Sequence, residues 1–270
     1  MGTGIAQVFA THGYQVILFD VNREMLHKSQ SRLNSDLSNL VTKNRITHEE
    51  KAATLSLIRF TEKIEQCIAD VVIEAILEDK EAKAELINKL FVINGAETII
   101  VTNTSSISVT AIAETLNAKG RFAGMHFFNP PTIMKLVEVV ETPYTQESTI
   151  RFITSLCENI DKSPVLCADS PGFIVNRVAR PYYLEALRLL DKNYADVQSI
   201  DQLLESTGFK MGPFRLMDLI GNDINYAVSK IVYESLGKPE RLRPSPIQEE
   251  KVSQGLLGKK TGKGYYEYPA

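Results

Sequence analysis

The sequence predicts an α/β protein: a mostly parallel sheet lacking its first strand, followed by a smaller all-helical domain. Three observations predict it. Short apolar runs alternate with helical-period segments as far as residue 168, each run ends in polar residues, and beyond residue 170 the helical period continues without further strands. Strands separated by helices return in the same direction, so the alternation implies parallel pairing, with ligands at the C-terminal strand ends.

Residues 1–10, MGTGIAQVFA, read as the opening of an amphipathic helix closed at Gly13, and residues 15–19 as a strand ending in Asp20. A glycine-led helix followed by a strand with a terminal acid is the second half of a dinucleotide-binding, Rossmann-like unit. In that unit the phosphates rest on the helix N-terminus, and an acid about 20 residues beyond the glycines binds the ribose. Gly2 stands at the last-glycine position and Asp20 at the ribose position. The preceding strand and the first two glycines are not in the sequence. The expectation is therefore an incomplete chain whose start lies roughly a dozen residues late, the usual strand-plus-turn length, with ladder groups exposed on both neighbouring strands. The alternative is an ordinary helix–strand pair with a chance glycine.

Residues 22–57 are helical, with Met25, Leu26, Leu33, Leu37, Leu40 and Val41 at helical spacing and a break at Thr47, where a capping-box pattern with Glu50 starts a second helix. Lys28, Arg32, Lys43 and Arg45 on this excursion read as a solvated face. Residues 70–75 form a strand leading to Glu78, residues 79–92 a helix containing Lys83, and residues 98–102 a strand ending in Asn103, Thr104, Ser105 and Ser106. Ser105 and Ser106 suit either a site or the cap of the next helix.

The stretch 124–141, GMHFFNPPTIMKLVEVVE, places His126 at the end of an apolar strand, a proline turn at Pro130 and Pro131, and Glu138 between Val137 and Val139 on a returning strand. Side chains alternate along a strand, so Glu138 points away from both valines and reaches His126 if the two strands lie side by side. A histidine held by a carboxylate at one ring nitrogen is fixed in one tautomer and exchanges a proton at the other. Pairing of Glu138 with Lys135 at the surface is the alternative.

Residues 163–168 are the last strand, and a turn at Asp169, Ser170, Pro171 and Gly172 divides the chain into a dinucleotide-binding domain, 1–169, and a helical domain, 170–270. Helices are expected over 173–190, containing Asn176, then 199–206 and 217–236. The first is apolar on more sides than one neighbour covers, at Ile174, Val178, Tyr182, Leu187 and Leu190, which suggests a homodimer built on this domain. The Gly-rich stretch 255–264 follows no strand and reads as a loop rather than a phosphate cradle.

Composition narrows the partners. At 270 residues and 44% hydrophobic the chain can bury a large core, and a net charge of -3 with both signs interspersed offers no basic face for nucleic acid and no polybasic run for a membrane. No apolar run approaches the roughly 18 residues of a membrane span. Cys67, Cys157 and Cys167 lack metal-ligand spacing and suit reduced thiols in a cytoplasmic compartment, and no metal site is expected.

Read together, MGTGIA, DVN, VIEAILED, NTSS, GMHFFNPP, KLVEVVE, DSPGFIVNR, MGPFRLMD and GKKTGKGYY resemble the short-chain L-3-hydroxyacyl-CoA dehydrogenases of the bacterial 3-hydroxybutyryl-CoA type, over nearly the whole chain. The resemblance implies His126 as catalytic base, Glu138 as its charge partner, and Ser105 and Asn176 as hydrogen-bond partners of the reacting oxygen. It implies NAD as cofactor, with Asp20 on the adenosine ribose and Glu78, Lys83, Ser105 and Asn129 on the nicotinamide side. The substrate would be an acyl-CoA whose phosphates need cations, for which Lys43 is the candidate. Two other readings stay open: a noncatalytic Rossmann remnant, and a hydroxyacid dehydrogenase with a lysine base.

Overall fold

The computed structural model describes residues 1–269, which form two compact units that divide after Asp169. The first unit runs α1 (Gly2–Thr11), β1 (Val16–Phe19), α2 (Arg23–Thr42), α3 (His48–Ser56), β2 (Ile58–Thr61), β3 (Val71–Glu74), α4 (Lys80–Ile93), β4 (Ile99–Thr102), α5 (Val109–Ala113), β5 (Phe122–Phe127), β6 (Leu136–Glu141), α6 (Glu147–Asn159) and β7 (Ser163–Ala168). Helix starts follow local chemistry. The Asn22 carboxamide accepts from the Glu24 and Met25 amides, Thr47 and Glu50 form the reciprocal capping box, and Asp79 accepts from the Ala82 amide.

The strands are mostly parallel but fall into two hydrogen-bonded sets. β1 pairs with β2, while β3, β4, β5, β6 and β7 lie side by side in that order, with only the β5–β6 pair antiparallel. β1 and β3 share no ladder, and nearly every residue of both is only partly buried. β2 departs from the sequence reading, which passed from the helix ending at Leu57 to the strand at Asp70. Its four residues, IRFT, are too short a run, and too interrupted by Arg59, to register as a strand without the β1 ladder beside them.

One face of the five-stranded set is sealed by α1 and α6. Ile5, Val8 and Phe9 of α1 and Ile150, Ile153, Leu156 and Cys157 of α6 join Val101, Ala123, Met125, Phe127, Val137 and Val139 in one apolar cluster. Each such side chain removed from water stabilises the unit by roughly 1.5–3 kcal/mol. Alternation therefore commits the other face of β5 and β6 to whatever stands between these residues, and there stand His126 and Glu138.

The second unit, from Ser170, contains α7 (Val175–Val178), α8 (Arg180–Asp191), α9 (Val197–Ser206), α10 (Pro213–Ile220), α11 (Asn222–Ser235) and α12 (Pro246–Ser253) around a core that includes Tyr183, Leu187, Ile200, Phe214, Met217 and Val232. Two long helices of the sequence reading are each two shorter ones. Pro181 has no N–H to offer the carbonyl of Arg177, so the first breaks at Ala179. Gly221, at φ +104°, ends α10 and turns the chain into α11. The helix α12 was not anticipated, because its PIQEEKVS has no apolar stripe.

The Gly-rich segment 255–264 is a loop, as expected, and its glycines serve a buried acid. Asp218 is 1% exposed and accepts from the Tyr265 and Tyr266 amides at 3.0 and 2.9 Å, from Tyr268 Oη at 3.0 Å and from Asn222 Nδ2 at 2.9 Å. A Cβ at Gly258 would overlap the Asp218 backbone, and its φ of +94° is open mainly to glycine. Gly258→Ala combines backbone strain of about 1–3 kcal/mol with overpacking of similar size. The expected result is a thermal unfolding midpoint lowered by several degrees in circular dichroism; an unchanged midpoint would mean that the loop does not need its close approach.

Candidate active site

The central pair is set by strand register. In the antiparallel β5–β6 ladder His126 stands directly opposite Glu138, with Met125 opposite Val139 and Phe127 opposite Val137 on the core side. His126 Nδ1 lies 2.8 Å from Glu138 Oε2, and the two residues are 6% and 1% exposed. A carboxylate can only accept, so Nδ1 donates and the neutral ring carries its lone pair at Nε2. Phe128 packs on the imidazole with ring centroids 4.6 Å apart. Lys135 does not compete for Glu138, because its ammonium donates to the Asp161 carbonyl at 3.1 Å.

The proline turn that joins the strands is pinned from two sides. Lys162, 8% exposed, donates to the Pro131 carbonyl at 2.6 Å and the Met134 carbonyl at 3.0 Å, and burial lowers the pKa of its ammonium. On the other side α1 comes so close that a Cβ at Gly4 would lie 2.6 Å from Pro131 Cγ. Gly2 has looser surroundings, the nearest atom being the Ala75 Cβ at 4.0 Å. The tightly constrained glycine of MGTGIA is thus Gly4. Asn103, after β4, fastens the end of β5 by accepting from the Phe127 amide through Oδ1 at 2.9 Å.

A second group forms beyond β3 and β4. Glu74, 3% exposed, accepts from Lys83 Nζ at 2.8 Å, the Ile76 amide at 2.6 Å and the Thr102 hydroxyl at 2.6 Å. Lys83 also lies 3.4 Å from Glu78 Oε2. The other oxygen of Glu78 accepts from the Ser105 amide at 2.9 Å, the Thr104 hydroxyl at 3.0 Å and the Ser105 hydroxyl at 3.3 Å. Glu78 and Ser105, each just beyond a strand end, therefore meet, whereas Lys83, 1% exposed, faces inward and supports the loop from beneath. The cap of α5 is neither Ser105 nor Ser106 but Ser108, whose hydroxyl accepts from the Ala111 amide and donates to Asp169.

The remaining candidates lie on other elements. Asp20 follows β1 and accepts from the Asn22 amide through Oδ1 at 2.8 Å; Arg23 nearby turns to Glu62 at 3.7 Å. Asn129 is exposed at the turn after β5, Lys43 is exposed at the C-terminal end of α2, and Asn176 lies on α7. Sequence reasoning missed Glu74, Thr102, Asn103 and Lys162. Only Glu74 carried a signal, an acid closing an apolar strand.

Residues 1–170 match the family model described as 3-hydroxyacyl-CoA dehydrogenase, NAD binding domain, and residues 172–268 match that of the C-terminal domain. The chain belongs to the 3-hydroxyacyl-CoA dehydrogenase family. Among its relatives, the 3-hydroxyadipyl-CoA dehydrogenase of Escherichia coli K12 is 44% identical over all of this chain, which spans 57% of that protein's length. The mitochondrial hydroxyacyl-coenzyme A dehydrogenase of Mus musculus is 38% identical over 99% of this chain and 88% of its own length. The crystal structure of (S)-3-hydroxybutyryl-CoA dehydrogenase from Ralstonia eutropha superposes with a TM-score of 0.94 at 34% identity, covering 100% of this chain and 96% of that one.

Membership brings NAD with it, and the residues present suit that cofactor. The first amides of a helix have no acceptor within it, so the glycine-led N-terminus of α1 offers donors to a diphosphate, and a carboxylate at the end of β1 suits a ribose. Among the described residues no group of His, Cys, Asp and Glu could hold a metal ion, and no helix is long and apolar enough to cross a membrane.

Proposed function

We propose that this chain interconverts (S)-3-hydroxyacyl-CoA and 3-oxoacyl-CoA thioesters with NAD, taking 3-hydroxybutyryl-CoA as a short substrate, in fatty acid or butanoate metabolism. The contact of 2.8 Å between His126 and Glu138 carries this reading. His126 Nε2 takes the proton of the 3-hydroxyl, and the imidazolium so formed is stabilised by a carboxylate held out of water beside it. NAD, when bound, supplies the hydride acceptor. In the reverse direction the imidazolium returns the proton to the 3-oxygen.

Ser105 and Asn176 hydrogen-bond that oxygen, each positioned donor being worth a few kcal/mol where charge develops. Ser105 exchanges its 3.3 Å contact with Glu78 for this task. Gly2 and Asp20 bind the dinucleotide, Glu78 and Asn129 border the nicotinamide, and Lys83 acts on it through Glu78. Lys43 meets the CoA phosphates. Exposed apolar side chains of the second unit, Val178, Leu203, Phe209, Leu219 and Ile224, support a homodimer through this domain. The free cysteines Cys67, Cys157 and Cys167 suit a reducing, cytoplasmic setting.

The noncatalytic alternative is not favoured, since a remnant has no need of a buried His–Glu pair. A lysine base is no better supported, with Lys83 committed to Glu74. The test is reduction of acetoacetyl-CoA followed by loss of reduced-nicotinamide absorbance. NADH is expected to give a higher kcat/KM than NADPH, because the Asp20 carboxylate repels a 2′-phosphate. No turnover with either coenzyme would sink the function, and preference for NADPH would sink the role of Asp20.

A further inference from the structure

The β4–β5 ladder stops short of the catalytic end of β5. Its registered pairs are Ile100 with Phe122, Val101 with Ala123 and Thr102 with Gly124, while β5 itself continues to Phe127. Beyond Gly124 the strand keeps its antiparallel ladder to β6 on one edge, with His126 opposite Glu138 and Phe127 opposite Val137. On the other edge β4 provides no further registered partner. A buried amide left there without an acceptor would be costly, and Phe127 is 2% exposed. The acceptor is a side chain. Asn103, the residue after β4, takes the Phe127 amide on Oδ1 at 2.9 Å and so does what a strand carbonyl would do in a continued ladder.

The same residue is fixed to a third strand. Its backbone amide donates to the Glu74 carbonyl at 2.8 Å, one residue past the last registered pair of β3 and β4, Glu74 with Thr102. Beside it the Thr102 hydroxyl donates to the Glu74 carboxylate at 2.6 Å. Asn103 therefore ties together the ends of β3, β4 and β5. The Phe127 amide belongs to the planar peptide unit shared with His126, so the bond from Asn103 orients that plane and with it the backbone from which the imidazole projects. Two residues after Asn103 stands Ser105, whose own amide is held by Glu78 at 2.9 Å. His126 and Ser105 are thus linked through one side-chain hydrogen bond and the two peptide units from Asn103 to Ser105.

We propose that Asn103 is a positioning residue of the reaction, setting the spacing between the His126 base and the Ser105 hydroxyl through its bond to the Phe127 amide. The inference rests on the roles proposed above for His126 and Ser105. Base and hydroxyl act on one substrate oxygen, so a shift of either slows turnover without unfolding the protein, and misplacement by about 1 Å can cost about 100-fold. A carboxamide suits the task because its oxygen accepts from a strand amide without bringing a second charge to the imidazole.

The test is steady-state reduction of acetoacetyl-CoA by NADH. Asn103→Leu keeps the approximate size and loses the acceptor; kcat is expected to fall about 10- to 100-fold, with the affinity for NADH, titrated by fluorescence, unchanged. Asn103→Asp restores an oxygen of the same reach and is expected to recover most of that loss. In a Ser105→Ala background the leucine substitution is expected to cost much less, because no spacing to that hydroxyl is left to set. Thermal melts establish which variants are folded, and if Asn103→Leu is not, Asn103→Ala also lacks the acceptor and serves the same comparison. Near-normal kcat in a folded variant without the acceptor overturns the proposal, as does an aspartate variant no faster than the leucine one. So does a loss equally large with and without the Ser105 hydroxyl, or one confined to the KM for NADH, which would make Asn103 a coenzyme contact. Absence of turnover by the unmodified chain would instead overturn the proposed reaction.

Discussion

His126→Gln is expected to lower kcat by about 10²- to 10⁴-fold, the usual contribution of a positioned base, while the affinity for NADH stays close to that of the unmodified chain. Glutamine keeps polarity and approximate size but cannot take up a proton. Glu138→Gln is expected to fall in the same range by a different route. The pair is 2.8 Å apart and nearly excluded from water, so a neutral amide removes the charge that stabilises the imidazolium and lets the ring adopt the other tautomer. Because the two act as one unit, the double variant should be little worse than either single one. Steady-state kinetics on acetoacetyl-CoA, with NADH titrated by fluorescence, separates turnover from coenzyme binding. Near-normal turnover in both single variants would remove the pair from the reaction.

The largest effect on stability is expected at Lys83→Met. Lys83 and Glu74 form an ion pair at 2.8 Å, with side chains 1% and 0% exposed. Methionine fills much of the volume and strands the carboxylate, and breaking such a pair from one side typically costs about 3–5 kcal/mol. That is a large share of the roughly 5–15 kcal/mol that holds a typical domain together. Replacing both partners, Lys83→Met with Glu74→Gln, leaves no bare charge and should recover part of the loss. Urea denaturation read by circular dichroism checks both outcomes, and additive single effects would show that the pair is not coupled. Since Lys83 also touches Glu78, the single variant is further expected to raise the KM for NADH.

The contact between His126 and Glu138 was legible because each half of it is a local pattern. HFFNPP states that a strand ends and cannot continue, and LVEVV states which way Glu138 points; antiparallel pairing is the simplest way to join them. The capping box at Thr47 and Glu50 was legible for the same reason, each side chain bonding a backbone amide three residues away. Lys83 was not. A lysine on a helix face reads as solvated until something acidic and buried turns it inward, and Glu74 is nine residues away on another element. Lys162 escaped notice likewise, its two acceptors lying 28 and 31 residues earlier in the chain. In the second unit periodicity ran straight through Ala179 and Gly221, because apolar spacing registers the face of a helix and not its interruption.

What the sequence determined by itself is the alternation of strands and helices, the residues that end the strands, and the face on which each side chain stands, all of which follow from contacts within a few residues. Tertiary structure alone decided the register that sets His126 against Glu138, the inward turn of Lys83, the closure of the glycine loop over Asp218 and the burial of Arg180 against Asn225 and Ser229. These depend on which distant segments share a ladder or a core. A slip of one residue in a strand would send every side chain to its opposite face, and no local pattern carries that choice.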